Sequence, residues 1–295
     1  MNTGFKAYHP AVNLIFFAGT VVFGIMFLHP YCLAVSLLSA VGYEFVLKGK
    51  KVLKELLYLL PMIAVVTLIN ALFSHYGVTT LATLPSGNSL TLESIVYGLI
   101  TGVMLVSVII WFNCYSEVVT SDKLMYIIGR RAPSVALVIS MALRFIPLYC
   151  QRLAQISDSQ KGIGRDSHSG KLTERIKNAA AQTSVLITWS LENAVETSDS
   201  MRSRGYGLKS RKPYSRFKMK TRDIIAMVVL IVLYAIIIFG AISGTMKCTY
   251  NPYIELSEVT PYSIVTAAAY TAVCAFPLII ELKEGIKWNR LKLKI

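Results

Sequence analysis

Residues that commonly carry chemistry are scarce in this chain. Its 295 residues include four histidines, His9, His29, His75 and His168, and they are dispersed. No metal-ligand cluster is expected, and no cofactor. The five cysteines, Cys32, Cys114, Cys150, Cys248 and Cys274, are odd in number, scattered and without C-x-x-C spacing. Most lie in apolar runs, where a buried thiol fits better than a disulfide or a metal ligand. A phosphate-binding loop is absent too. In GIGRDSHSGKLT (162–173), the glycine before Gly170-Lys171 stands one place too far back, at Gly164. Leu172 replaces the required Ser or Thr, and no strand precedes. The segment reads as a flexible turn, so the chain is not expected to hydrolyse ATP itself. The first apolar run ends at His29-Pro30 without a small-residue cleavage site, which marks a retained span and not a signal peptide.

Apolar residues are abundant instead. Hydrophobic residues make up 54% of the sequence, and the mean hydropathy is +0.55. A soluble domain of this length does not need so much apolar surface, so an all-α, polytopic membrane protein is expected. A bilayer crossing takes roughly 20 apolar residues. Six stretches qualify: 11–28, 31–47, 56–74, 94–115, 224–243 and 262–282. The first two are short enough to form either spans or a tight hairpin that stops inside the bilayer.

The formal charge of +14 would suit nucleic acid, anionic lipid or an acidic partner. Its placement decides otherwise. With the N-terminus inside, Lys48, Lys50, Lys51, Lys54, the segment 116–222 and the tail 283–294 all fall on the cytoplasmic side. Among the basic residues only Lys247 falls outside. Six spans with both termini cytoplasmic, in the cell membrane, follow from that asymmetry. Nucleic acid is not an expected partner. The basic, aromatic stretch 206–222 reads as a juxtamembrane segment touching lipid headgroups. The division is therefore 1–115, N-terminal spans; 116–222, a cytoplasmic region; 223–295, C-terminal spans and a basic tail. Asn70, inside a span, is expected to act as helix–helix glue.

The cytoplasmic region holds two long, half-apolar helices. The first starts near Ala132, with Pro133 suited to a first turn. Read as a span it would put Arg144 near mid-bilayer, at a cost of about 2.5–3.5 kcal/mol. A helix along or dipping into the cytoplasmic face is expected instead, with Pro147 allowing a bend. The second begins near Lys171; its apolar stretch of about 14 residues is too short to span. Val185, Trp189, Leu191 and Val195 form its apolar side, and Glu192, Glu196 and Asp199 its polar one. The acids are expected to be solvated or paired within the chain, not catalytic. Each helix would be ~45–50 Å long.

The two helix ends share a pattern: Ser159-Gln160-Lys161-Gly162-Ile163-Gly164 and Ser200-Met201-Arg202-Ser203-Arg204-Gly205. Glycine just past a helix suits a left-handed cap, and bases in the last turn suit the negative end of the dipole. Capping leaves Arg204 unexplained. Flanked by small Ser203 and Gly205, its guanidinium fork is uncrowded and able to reach a carboxylate on another protein.

With ALRFIP (142–147), SMRSRGYG (200–207) and the HPAVNL stretch near the N-terminus, the chain resembles the transmembrane T component of energy-coupling factor transporters, the EcfT/CbiQ family. The order of four apolar segments, a cytoplasmic block and further spans agrees, so the resemblance covers essentially the whole chain. It implies a helical scaffold with coupling helices that end in Ala-Arg-Gly-like triplets. Those ends dock on two cytoplasmic ATP-binding subunits, and the scaffold cradles a membrane-embedded S component that binds a vitamin or metal ion. By position the second triplet is Ser203-Arg204-Gly205, with Arg202 beside it. The first is Gly162-Ile163-Gly164, with Ile163 where the family has arginine. Either Lys161 or Arg165 substitutes, or that socket is apolar. Arg144 and Pro147 would belong to the scaffold. A stand-alone secondary transporter would show ionisable residues inside its spans and repeat symmetry; the spans here hold almost none. An intramembrane enzyme would need a convergent polar site at membrane depth, and none is visible.

Overall fold

The computed structural model describes residues 4–74, 77–83, 89–166, 171–206, 217–250, 252–257 and 260–292. It divides into two compact units, Met1–Leu124 with Phe217–Ile295, and Met125–Arg216.

In the first unit a 3-10 turn, Gly4–Ala7, precedes α1 (Pro10–Met26), α2 (Pro30–Lys48), α3 (Lys51–Phe73) and α4 (Leu92–Val118). The helix α5 (Ser121–Arg131) begins here, and after the second unit come α8 (Thr221–Ile242) and α9 (Pro261–Lys292). Two short antiparallel hairpins join helices: β1 (Thr80–Thr83) with β2 (Ser89–Thr91), and β3 (Cys248–Thr249) with β4 (Glu255–Leu256). The first lies between the third and fourth apolar stretches of the sequence.

Both α1 and α2 open on a His-Pro pair. Proline at the first helical position loses no needed donor. The ring Nδ1 of His9 accepts from the Ala11 N–H at 3.2 Å, and that of His29 from the Tyr31 N–H at 3.3 Å. Imidazole thus does the capping that Ser or Asp usually does.

The helix α4 is the bundle's centre, packed by α1, α2 and α3; α9 packs on α2 and α8. Trp111 of α4 is 1% exposed and donates its indole N–H to Ser36 Oγ at 3.0 Å. Phe16 and Phe17 meet it edge-on at 5.6 and 6.2 Å. On the other flank of α4, Gly98 and Gly102 let α3 come close. A Cβ on Gly98 would stand 2.9 Å from Thr67 Cα, and one on Gly102 3.2 Å from Ile63 Cα. Small residues four apart are how helices approach without hydrophobic driving force in lipid. Among the described residues Asn70 takes part sterically and not as glue: its Cβ stands against Gly98, and its side chain donates back to Val66 O of its own helix at 3.1 Å.

Among the described residues, six helices are long and apolar enough to cross a membrane: α2, α3, α4, α8, α9 and, in the second unit, α6 (Pro133–Gly162). The set differs from the sequence reading by one exchange. Seventeen residues of α1 give about 25 Å, short of the ~30 Å hydrocarbon core. The 30 residues of α6 exceed it, and a single Arg144 is too little charge to remove the helix from the set. Acids do lie within these helices: Glu44 of α2, buried, pairs with Lys48 Nζ at 3.1 Å, which also holds Glu55 of α3 at 2.8 Å.

Candidate functional site

The second unit is built on α6 and α7 (Leu172–Ser203). Pro147 lies inside α6, which runs without a break from Pro133 to Gly162. The two helices pair antiparallel. Leu137, Met141 and Arg144, early in α6, share a groove of about 440 Å³ with Glu196, Ser200 and Arg204, late in α7. Midway, the Tyr149 ring meets Trp189 edge-on at 5.8 Å, and the Arg152 guanidinium lies 5.1 Å above Trp189. Past the end of α6, Asp166 O accepts from Asn178 Nδ2 at 2.9 Å. The two helix ends therefore lie at opposite ends of the pair. From Asn178 to Arg204 along α7 is about 40 Å at 1.5 Å per residue.

Both ends are locked by the same backbone pattern. At α6, Gly164 N–H donates to Lys161 O (3.0 Å) and Arg165 N–H to Gln160 O (2.9 Å). At α7, Gly205 N–H donates to Arg202 O (3.0 Å) and Tyr206 N–H to Met201 O (3.1 Å). Gly164 and Gly205 adopt φ of 79° and 74°, the left-handed conformation that a Cβ disfavours. The register pairs Lys161 with Arg202, Gly162 with Ser203, Ile163 with Arg204, and Gly164 with Gly205. The same lock closes α8 at Gly244 (φ 72°), so the backbone pattern alone is a helix stop. What distinguishes the two ends is what their cap residues carry.

Arg204 is exposed, as are Arg202 and Ser203. The Ser203 hydroxyl donates to Ser200 O at 2.8 Å, back along its own helix. The serine thus presents little more outward bulk than an alanine would. Ile163, in Arg204's place on α6, is 65% exposed, and a Cβ on Gly162 would meet nothing within 4 Å. Lys161 is paired with Asp158 at 3.4 Å. Around the α6 end the charges of Asp158, Lys161, Arg165 and Asp166 cancel, whereas Arg202 and Arg204 outweigh Asp199 at the α7 end.

Arg144 is exposed; its guanidinium lies 5.2 Å from the Phe145 ring centroid. It shares the groove with Glu196, but no ion pair forms between them among the described residues. Glu192, Glu196 and Asp199 are all exposed, in keeping with solvation. Val185, Leu191 and Val195 are exposed too, so of the four apolar positions on α7 it is Trp189 that packs on α6. The turn residues 167–170 and most of the basic stretch 206–222 lie outside the described residues.

Residues 5–214 match the family model CbiQ, described as cobalt transport protein. The chain belongs to the CbiQ family. The matched range takes in Arg144 and both helix ends and stops before α8. Relatives include the energy-coupling factor transporter transmembrane protein EcfT of Lactobacillus helveticus (strain DPC 4571), 35% identical over 105 residues, 35% of this chain and 38% of the relative. EcfT of Bacillus subtilis (strain 168) is 33% identical over 106 residues, 36% of this chain and 40% of the relative. EcfT 1 of Listeria monocytogenes serotype 1/2a is 30% identical over 154 residues, 47% and 58% of the two chains. The chain thus spans roughly four- to six-tenths of the length of these relatives.

Inside this CbiQ-family chain the structure adds residues the sequence did not single out. Lys123 looks like an ordinary surface lysine at the start of a polar helix, yet it is 3% exposed. Its Nζ donates to Lys6 O at 2.8 Å and Val118 O at 2.9 Å. The Asn13 amide satisfies both its neighbours when its oxygen accepts from Lys123 Nζ (2.7 Å) and its nitrogen donates to Phe5 O (3.3 Å). Burial, helped by the nearby Lys6 charge, pushes the Lys123 amine down to about 8. No periodicity marks such a residue. The one hint is a lysine close behind a long apolar run, which reads equally as a snorkelling anchor.

Proposed function

We propose that this chain is the transmembrane T component of an energy-coupling factor transporter, a non-catalytic scaffold that couples ATP hydrolysis by two cytoplasmic ATP-binding subunits to uptake through a membrane-embedded S component. The transported vitamin or metal ion is bound by that S component. Residues 116–222 act as the cytoplasmic coupling region between the spans of 1–115 and 223–295, and both termini face the cytoplasm of a cell-membrane protein. The observation that carries this reading is one antiparallel hairpin with exposed cap residues at its two far ends, Arg202 and Arg204 at one and Ile163 at the other. Their separation of about 40 Å gives each ATP-binding subunit its own end.

ATP draws the two subunits together, each holding one end, and the hairpin converts that approach into a change at the membrane. Ser203 and Gly205 permit close approach, Arg202 adds charge, and Arg204 pairs with a partner carboxylate. The α6 end, Gly162-Ile163-Gly164, enters an apolar socket. Ile163 supports this choice because it projects uncovered, and Lys161 already has Asp158 as its counter-ion. Arg144 and Glu196 line the groove behind Arg204 and support the α7 end; Pro147 sets the course of α6. A stand-alone secondary transporter is the weaker alternative, since Glu44 and Lys48 pair with each other and Glu55. Purification of the chain from native membranes tests the function. Two ATP-binding subunits and a small membrane protein should accompany it. A chain that comes alone and moves solute without nucleotide would refute the proposal.

A further inference from the structure

The polypeptide passes between the two compact units twice, after Leu124 and before Phe217. Both passages are anchored on the membrane side by a cation, and both cations grip the same few residues. Lys123, one residue before the first passage, donates to Lys6 O at 2.8 Å. Arg222, shortly after the second, donates to Ala7 O at 2.7 Å and covers the Tyr8 ring at 4.9 Å. Its neighbour Asp223, buried and held at 3.0 Å by the Lys220 N–H, accepts from the His9 N–H at 3.4 Å.

The far side of the same segment is tied to α9. The Gly4 N–H donates to Glu284, and the Phe5 N–H donates to Glu281 at 3.0 Å. Phe5 is 0% exposed. Its ring meets Phe16 at 5.2 Å, Phe276 at 6.1 Å and Tyr43 at 6.4 Å, so it is seated between α1, α2 and α9. Residues 4–9 are thus a strap whose backbone bonds to the start of α5, the start of α8 and the last turns of α9.

We infer that this strap, gripped by Lys123 and Arg222, is the junction through which displacement of the 125–216 unit enters the membrane bundle. A helix entering the bundle through the chain alone would move as a loose tether. Two charge-assisted bonds to adjacent carbonyls fasten the starts of α5 and α8 to one strap, so that a pull on either reaches a seated aromatic. Lys123 and Arg222 are positioning residues for coupling, and they touch neither nucleotide nor substrate. The inference rests on the T-component reading above.

The test uses the complete complex with its native partners, spin-labelled at Leu38→Cys and Ile242→Cys in a Cys150→Ser background. These two positions are exposed in α2 and α8. The distance distribution is read without nucleotide and with ATP, beside subunit association and ATP hydrolysis. In the otherwise unaltered chain ATP should shift the distribution. In Lys123→Met and in Arg222→Met, association and hydrolysis should stay within about twofold while the shift is lost, the pattern expected when coupling and not binding is removed. Arg222→Lys, which keeps a donor near Ala7 O, should recover it. Should a Met variant fail to assemble, Glu281→Gln with Glu284→Gln loosens the strap from its other side by isosteric changes and should give the same loss. A full ATP-driven shift in any variant that assembles, or loss of shift and association together in the chain carrying Glu281→Gln with Glu284→Gln, would overturn the inference. Failure of the T-component reading looks different: no ATP-binding subunits would accompany even the unaltered chain.

Discussion

Reversing the charge at the end of α7 separates docking from folding. Arg204 is exposed at the helix cap. Whatever Arg204 meets within the chain it meets at the exposed surface, where a charge contributes about 0–1 kcal/mol, so Arg204→Glu should insert and melt within a few degrees of the unaltered protein. At an interface the arithmetic differs. Removing one partner of a desolvated, hydrogen-bonded charge pair costs about 2–5 kcal/mol, and each 1.4 kcal/mol is about tenfold in affinity. Arg204→Ala should therefore weaken association with the ATP-binding subunit by roughly 30-fold to several thousand-fold. Arg204→Glu, which sets two carboxylates face to face, should weaken it further. Titration of purified ATP-binding subunits onto the chain in nanodiscs measures the loss, and a salt series shows its ionic part. Association of Arg204→Glu at the unaltered affinity, with the fold intact, would refute the role given to this residue.

The α6 end should behave oppositely. Ile163→Arg should weaken subunit association in the same titration, and Ile163→Leu should preserve it; tighter binding by Ile163→Arg would mean that the first socket also wants a cation. Gly205→Ala places a Cβ at φ 74° and should cost about 1–2 kcal/mol, seen as faster amide exchange in the last turn of α7. Gly162→Ala, at a helical position with open space, should slow exchange at the α6 end by gaining up to about 1 kcal/mol. The Lys123 amine, pushed down to about 8 by burial and by Lys6, should show a labelling midpoint there and not in the ordinary lysine range. Between about 8 and 10.5 the folded chain has shed a proton that the unfolded chain still binds. Stability should rise with pH across that window, and a flat or falling profile would contradict the assignment.

The amino-acid sequence by itself determined what depends on neighbours a few residues away. Hydropathy over stretches of 17–22 residues marked α2, α3, α4, α8 and α9. The Gly-terminated ends of α6 and α7 were legible because their hydrogen bonds close within six residues. Even Ile163 opposite Arg204 could be read, since register along a helix is local. Tertiary structure alone decided the rest. Lys123, Arg222, Asp223, Glu281 and Glu284 are unremarkable charges until six residues from the N-terminus arrive between them, up to 280 positions away in the chain. The antiparallel course of α6 and α7 and the burial of Glu44 have the same origin. A hydrogen bond to a distant carbonyl leaves no periodicity in the residues that make it, so only the folded chain reveals which cations are gripped.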